Sequence, residues 1–128
     1  MQLLIVEDHA NDLHMAARAA EAAGFSQVNA RASAETAKEY LETALRKGEP
    51  LPDAIILDLD LGYDSGFELL RFWHGNPRLA RIPVIVWTIL GDQYREVCRM
   101  FKVSAYVYKG EDISVLRQVL SGLSGLVA

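Results

Sequence analysis

A single cysteine, Cys98, stands in a chain of 128 residues. That excludes an internal disulfide and any metal site built from several cysteines, and leaves Cys98 to read as a small core residue on a helix. Basic charge is not in surplus: 13 Lys and Arg face 17 Asp and Glu, for a net charge of −4. Nucleic-acid-binding surfaces usually announce themselves as basic patches, so that partner class is disfavoured. No apolar run approaches the roughly 18 residues that span a bilayer. The N-terminal MQLLIVEDH reaches acid within seven residues and has no basic start, unlike a secretory signal. These absences predict a cytoplasmic protein with neither nucleic acid nor membrane as partner. The histidines offer no ligand set, because His9, His14 and His74 lack metal spacing with one another and with Cys98.

What is present is enough apolar matter, 51% of residues, to collapse into one domain over residues 1–128. Apolar runs alternate with helical periods five times. The predicted strands are Gln2–Val6, Gln27–Arg31, Ala54–Leu57, Ile82–Trp87 and Ala105–Tyr108. The predicted helices are Asp12–Ala23, a segment capped by Ser33 and ended by Gly48, then Ser65 to about Gly75, Asp92–Phe101, and Asp112 to about Leu123. Continuous apolar strands separated by helices define an α/β fold with a parallel sheet covered on both faces. The expected architecture is a flavodoxin-like (βα)5 doubly wound sheet with strand order 2-1-3-4-5.

The most apolar strand ends in acid, in IILDLDLGYDSG, and the first strand also ends in acid, at Glu7 and Asp8. With this strand order the first and third strands are neighbours, so Glu7, Asp8 and Asp58 should converge at the C-terminal sheet edge, where such folds place their functional groups. Thr88 and Lys109 end the fourth and fifth strands at the same edge. Like charges ~4 Å apart repel by about 4 kcal/mol at an effective dielectric of 20, so the acids call for a cation. Lys109 offsets one charge, and an all-oxygen set suits Mg²⁺. A carboxylate nucleophile, a hydroxyl, an ammonium and a divalent metal together suit phosphoryl transfer to an aspartate. Taken singly each has an ordinary explanation as a turn, cap or surface residue. Asp60 and Asp64 are expected in the loop, one lending a backbone carbonyl and the other solvated.

These residues resemble the response-regulator receiver domain, CheY-like and single-domain, over nearly the whole chain. The family's acidic pair matches Glu7 and Asp8, its phosphoacceptor Asp58, its switch hydroxyl Thr88, its switch aromatic Tyr106 and its lysine Lys109, while Gly66 matches the glycine that closes the loop. The segments NPRLARIPVIVWT and GEPLPDAIILDLDL look most like single-domain regulators that pair with phytochrome-type histidine kinases. The resemblance implies a phosphorelay protein. Asp58 accepts a phosphoryl group from a sensor histidine kinase or exchanges it with a histidine phosphotransfer protein. Mg²⁺ is held by Asp8, Asp58, Glu7 through water, and the backbone carbonyl of Asp60. Thr88 and Lys109 bind the phosphoryl oxygens, Tyr106 turns inward, and the face of the fourth helix, fifth strand and fifth helix carries the signal. The protein is then a phosphoacceptor that assists its own phosphotransfer and dephosphorylation, rather than an enzyme.

Some positions depart from the pattern. Gly62 stands where proline is common, which predicts a looser loop. Gly110 replaces the proline after the lysine, and a cis bond there would cost about 2.5–4 kcal/mol, so a trans bond is expected. Ile89 is bulkier than usual and is expected to narrow the route to Asp58. Leu90 is apolar where attacking water is often influenced, which predicts slow loss of phosphate. With no output domain in the sequence, signalling is expected through protein contacts. Tyr94, Tyr106 and Tyr108 on the output face, with Leu126 and Val127 at the last helix, would suit a homodimer.

Two other readings compete. A receiver fold that takes no phosphate would act as an interaction module, and Ile89, Gly62 and Gly110 speak for it. The string IILDLD also resembles the first motif of haloacid-dehalogenase-type phosphatases, but that motif usually opens a longer chain. A flavin-binding flavodoxin is disfavoured, because Glu7 and Asp8 would repel a phosphate where that fold supplies backbone N–H groups.

Overall fold

The computed structural model describes residues 1–62 and 64–127, with side chains described as far as residue 123. Five parallel strands form the sheet: β1 (Gln2–Val6), β2 (Gln27–Arg31), β3 (Ala54–Leu57), β4 (Val84–Thr88) and β5 (Ala105–Tyr108), in the order β2-β1-β3-β4-β5. Helices α1 (Ala10–Ala22), α2 (Ala34–Lys47), α3 (Gly66–Gly75), α4 (Arg95–Met100) and α5 (Ile113–Val127) cover it. This is the expected flavodoxin-like (βα)5 fold.

The strands are continuous apolar runs because both faces are covered and successive side chains point to opposite sides. Leu3, Ile5, Ile56, Ile85 and Trp87 face one way and pack with Ala16 and Ala20 of α1 and Leu116 and Leu120 of α5. Leu4, Val6, Ile55, Leu57 and Val86 face the other way and meet Leu41 of α2, Leu70 and Trp73 of α3, and Cys98 of α4. Cys98 is wholly buried, as expected, and burial pushes its thiol up to about 11. β2 lies at the edge, which explains its polar sequence.

Several boundaries shift, most by one residue, β4 ending at Thr88 rather than Trp87 among them, and four by more. α1 begins at Ala10 rather than Asp12, with His9 in extended conformation before it. β4 begins at Val84 rather than Ile82, because Pro83 has no N–H for the ladder and gives only its carbonyl, to Ile55 N at 3.0 Å. The fourth helical segment divides into a 3-10 turn, Asp92–Tyr94, and the short α4. α5 runs on to Val127, where Leu123 was the expected end. The side chains of Leu126 and Val127, offered for a dimer, lie outside the described residues. Gly48 ends α2 in the left-handed region at φ 67°, which a residue without Cβ adopts at little cost.

The loop after Asp58 holds a small antiparallel ladder, Asp60–Leu61 with Asp64–Ser65, that sequence reasoning did not foresee. Gly62 sits in it at φ 72°. Asp64 is not simply solvated, as expected, but accepts from the N–H groups of Ala34 and Glu35 at 3.1 and 3.0 Å. Those are the first two amides of α2, and Ser33 Oγ takes the third, from Thr36. No cis peptide bond occurs among the described residues. Among them, no helix is long and apolar enough to cross a membrane.

Candidate functional site

The sheet's hydrogen-bond ladder places each functional side chain. Glu7 N donates to Arg31 O at 2.9 Å, which extends the β1–β2 ladder by one residue. Asp58 N donates to Val6 O at 3.1 Å, and Lys109 N to Thr88 O at 2.8 Å. β1, β3 and β5 therefore each deliver the residue just past the C-terminal end to one shared edge, and β4 ends there in Thr88. Glu7, Asp8, Asp58 and Lys109 meet there as the sequence predicts, lining an open pocket of 260 Å³ with Asp60, Asp12 and Ile89.

Lys109 is the hub. Its Nζ donates to Glu7 Oε1 at 2.8 Å, Asp12 Oδ2 at 2.7 Å and Asp58 Oδ2 at 2.9 Å. An ammonium has three N–H donors, and all are engaged. Glu7 and Asp58 are buried. Burial pushes the Glu7 carboxyl from its ordinary 4.5 up to about 7, against the pull of its Lys109 hydrogen bond and with help from the Asp58 charge. Burial also works against the Lys109 charge, but hydrogen bonds from Lys109 to Asp12, Glu7 and Asp58 outweigh it and hold its pKa above the ordinary value. The ammonium also stands 4.9 Å from the centre of the Trp87 ring.

Carboxylate oxygens of Glu7, Asp8 and Asp58 lie within 4.8 Å of one another. This all-oxygen donor set, with Asp8 exposed toward the pocket and Glu7 costly to ionise alone, fits a hard divalent cation. Asp60 N donates to Asp58 Oδ1 at 3.0 Å and fixes the carboxylate plane, while the Asp60 side chain is exposed. Gly66 packs so closely that a Cβ there would fall 2.4 Å from Asp58 O, which accounts for glycine at this position. At Gly62 a Cβ would lie 3.1 Å from Asp8 Oδ2.

Thr88 is buried at the end of β4, and its Oγ1 accepts from Leu90 N at 3.3 Å. Tyr106, two residues before the end of β5, donates its hydroxyl to the carbonyls of Leu90 and Gly91 at 2.8 and 3.0 Å. Burial pushes that hydroxyl up to about 12, so it stays a donor at neutral pH. Leu90 does not cover Asp58, contrary to expectation: it packs against the apolar core beside α3 and α4. The apolar residue at the pocket is Ile89, 58% exposed. Of the three tyrosines placed on the output face, Tyr108 alone is exposed there. Tyr94 packs on Phe67 with ring centres 5.7 Å apart, and Tyr106 is tied to the loop. Gly110 lies under the Tyr108 ring, where a Cβ would fall 2.1 Å from Cε2.

Sequence reasoning missed Asp12 and Trp87 as neighbours of Lys109. The signal for Asp12 was available, since it lies in the first turn of the helix that follows Glu7 and Asp8.

The doubly wound α/β domain thus gathers three carboxylates and a lysine from its strand ends around a small open pocket. Residues 3–121 match the response regulator receiver domain, and the chain belongs to that family. Its fold is similar to that of the phosphorylated cyanobacterial phytochrome response regulator RcpA, with 26% identity over 98% of this chain and 91% of that one, and a TM-score of 0.79. It is also similar to the signal receiver domain of a signal transduction histidine kinase from Syntrophus aciditrophicus, with 29% identity, coverage of 98% and 91%, and a TM-score of 0.78. The bacteriophytochrome response regulator RtBRR shows 28% identity, coverage of 94% and 77%, and a TM-score of 0.77. A search of the curated proteins found no match.

Proposed function

We propose that this chain is the phosphoacceptor of a two-component phosphorelay, with residues 1–128 acting as one receiver unit and Asp58 as the acceptor. The observation that supports this most directly is the setting of Asp58: a buried carboxylate held by Lys109 and grouped with Glu7 and Asp8 at an open pocket. In the transfer, an Asp58 oxygen forms the bond to phosphorus as the donor's phosphorus–nitrogen bond breaks, and the electron pair returns to the donor imidazole. Lys109, freed from Asp58 Oδ2 when that carboxylate is phosphorylated, turns that N–H to a phosphoryl oxygen, and Thr88 donates to another once its hydroxyl turns from Leu90 N. Glu7, Asp8, Asp58 and the backbone carbonyl of Asp60 would hold Mg²⁺, with Glu7 through water. Such an ion would offset the negative charge of the arriving group.

The readout follows from the contacts of the loop after β4. Thr88 and Tyr106 both hydrogen-bond to that loop, so a turn of Thr88 loosens the seat of Tyr106 and changes the face of α4, β5 and α5. Exposed Val97, Met100 and Tyr108 on α4 and β5 support dimerisation through this face. A sensor histidine kinase, with the phytochrome type as first choice from the likeness to RcpA and RtBRR, or a histidine phosphotransfer protein would supply the phosphoryl group.

The test is the intact mass of the protein after incubation with acetyl phosphate and Mg²⁺. We expect a gain of about 80 Da, one phosphoryl group, that Asp58→Asn abolishes. The absence of any gain, with acetyl phosphate or with a panel of kinases, would leave an interaction module whose pocket Ile89 obstructs.

A further inference from the structure

We infer that Asp12 is a positioning residue for Lys109, holding its ammonium in place when a divalent cation takes up Glu7 and Asp58. The inference rests on the metal reading above.

The oxygens of Glu7 and Asp58 are already committed. Glu7 Oε1 faces Lys109 and its Oε2 accepts from His9 N at 3.3 Å. Asp58 Oδ2 faces Lys109 and its Oδ1 accepts from Asp60 N. A cation held by these carboxylates must share them with Lys109, and two positive groups on the same oxygens repel. Among the described residues, Asp12 is the one acidic partner of Lys109 outside the group of acids that can converge on a metal. Its contact with Lys109 is also the shortest of the three, at 2.7 Å.

The ordinary role of an acid in the first turn of a helix is to receive that helix's free N–H groups. Asp12 does not do so: among the described residues its carboxylate accepts no backbone N–H. It turns instead across 97 positions of sequence to Lys109. The exposed His9 ring, 3.8 Å away, is the other basic group near it. With Asp12 removed, the ammonium would depend on Glu7 and Asp58 alone and compete directly with the metal.

The test is Mg²⁺ titration of the whole chain, followed by tryptophan emission, to which Trp87 contributes from beneath the ammonium. Asp12→Asn should weaken Mg²⁺ binding about three- to tenfold, the scale of one hydrogen bond to a charged group, and Asp12→Glu should recover most of it. In a Lys109→Met background, Asp12→Asn should change affinity by less than about 1.5-fold if the effect passes through the lysine. Lysine ammonium NMR of the wild type and Asp12→Asn at saturating Mg²⁺ needs no change at Lys109. It should show a hydrogen-bonded Lys109 signal that the variant loses. Equal affinity in wild type and Asp12→Asn overturns the inference and leaves the metal reading intact. An equal loss with and without Lys109, or an unchanged ammonium signal, overturns it too, since Asp12 would then act only as a nearby charge. A wild type that binds no Mg²⁺ removes both.

Discussion

Glu7 links burial to metal readiness. Its folded-state pKa, about 7, lies above the ordinary 4.5, so between these values the folded protein holds a proton that the unfolded chain has released. The stability this contributes is full below about 4.5 and is lost as pH rises through about 7. Glu7→Gln keeps a neutral group at every pH. In metal-free urea unfolding, the stability of Glu7→Gln relative to wild type should therefore rise from pH 5 to pH 8, and a constant difference would contradict the assignment. Gly66 makes a steric prediction. Gly66→Ala forces backbone apart beside Asp58, at a cost of about 1–3 kcal/mol, and should slow phosphorylation by acetyl phosphate. Glu7, Asp8, Asp58 and Lys109 were legible in the sequence because each follows an apolar run and a parallel ladder carries such residues to one edge. Asp12 was not, because a first-turn acid already has an ordinary explanation, and its partner lies a whole domain away in sequence.

At the scale of elements, the loop after β3 is clipped to the start of α2. Asp64→Ala frees two amides of that helix and should cost about 1 kcal/mol, measured by urea unfolding. It should also speed amide exchange in residues 60–62 and 64–66, and unchanged exchange there would show that the ladder alone holds them. The hairpin was hidden from sequence reasoning because strands of two residues carry no periodicity to detect. Gln2–Val6 and Ala54–Leu57 read correctly as apolar runs, and Gln27–Arg31 as a weak strand polar enough for the edge it occupies. The fourth helix read too long, because 3-10 and α turns share nearly the same spacing of side chains. Tyr106→Phe keeps the ring under the Arg95 guanidinium, 4.9 Å away, but removes its two carbonyl contacts. The expected cost is about 1 kcal/mol, with faster amide exchange confined to residues 89–94.

The whole molecule divides its core into two apolar layers, one on each side of the sheet, and the site sits where the strands leave both. The face carrying Val97, Met100 and Tyr108 gives the assembly prediction. Light scattering of the phosphorylated protein should show association from the 14.2 kDa monomer toward twice that mass, and Met100→Glu should prevent it. A phosphorylated protein that stays monomeric at high concentration would assign this face to a different partner.

Cys98 turns that same region into a clock. The single thiol lies wholly covered beneath the six-residue α4, with its proton held tightly by burial. An alkylating reagent in the surrounding solution can modify it only during moments when α4 lifts. Where labelling outpaces reclosing, its rate counts those openings, and where it does not, it reports the fraction of time α4 is open, in either case without an attached probe. Comparing that rate with and without acetyl phosphate and Mg²⁺ would show whether chemistry at the pocket reaches α4.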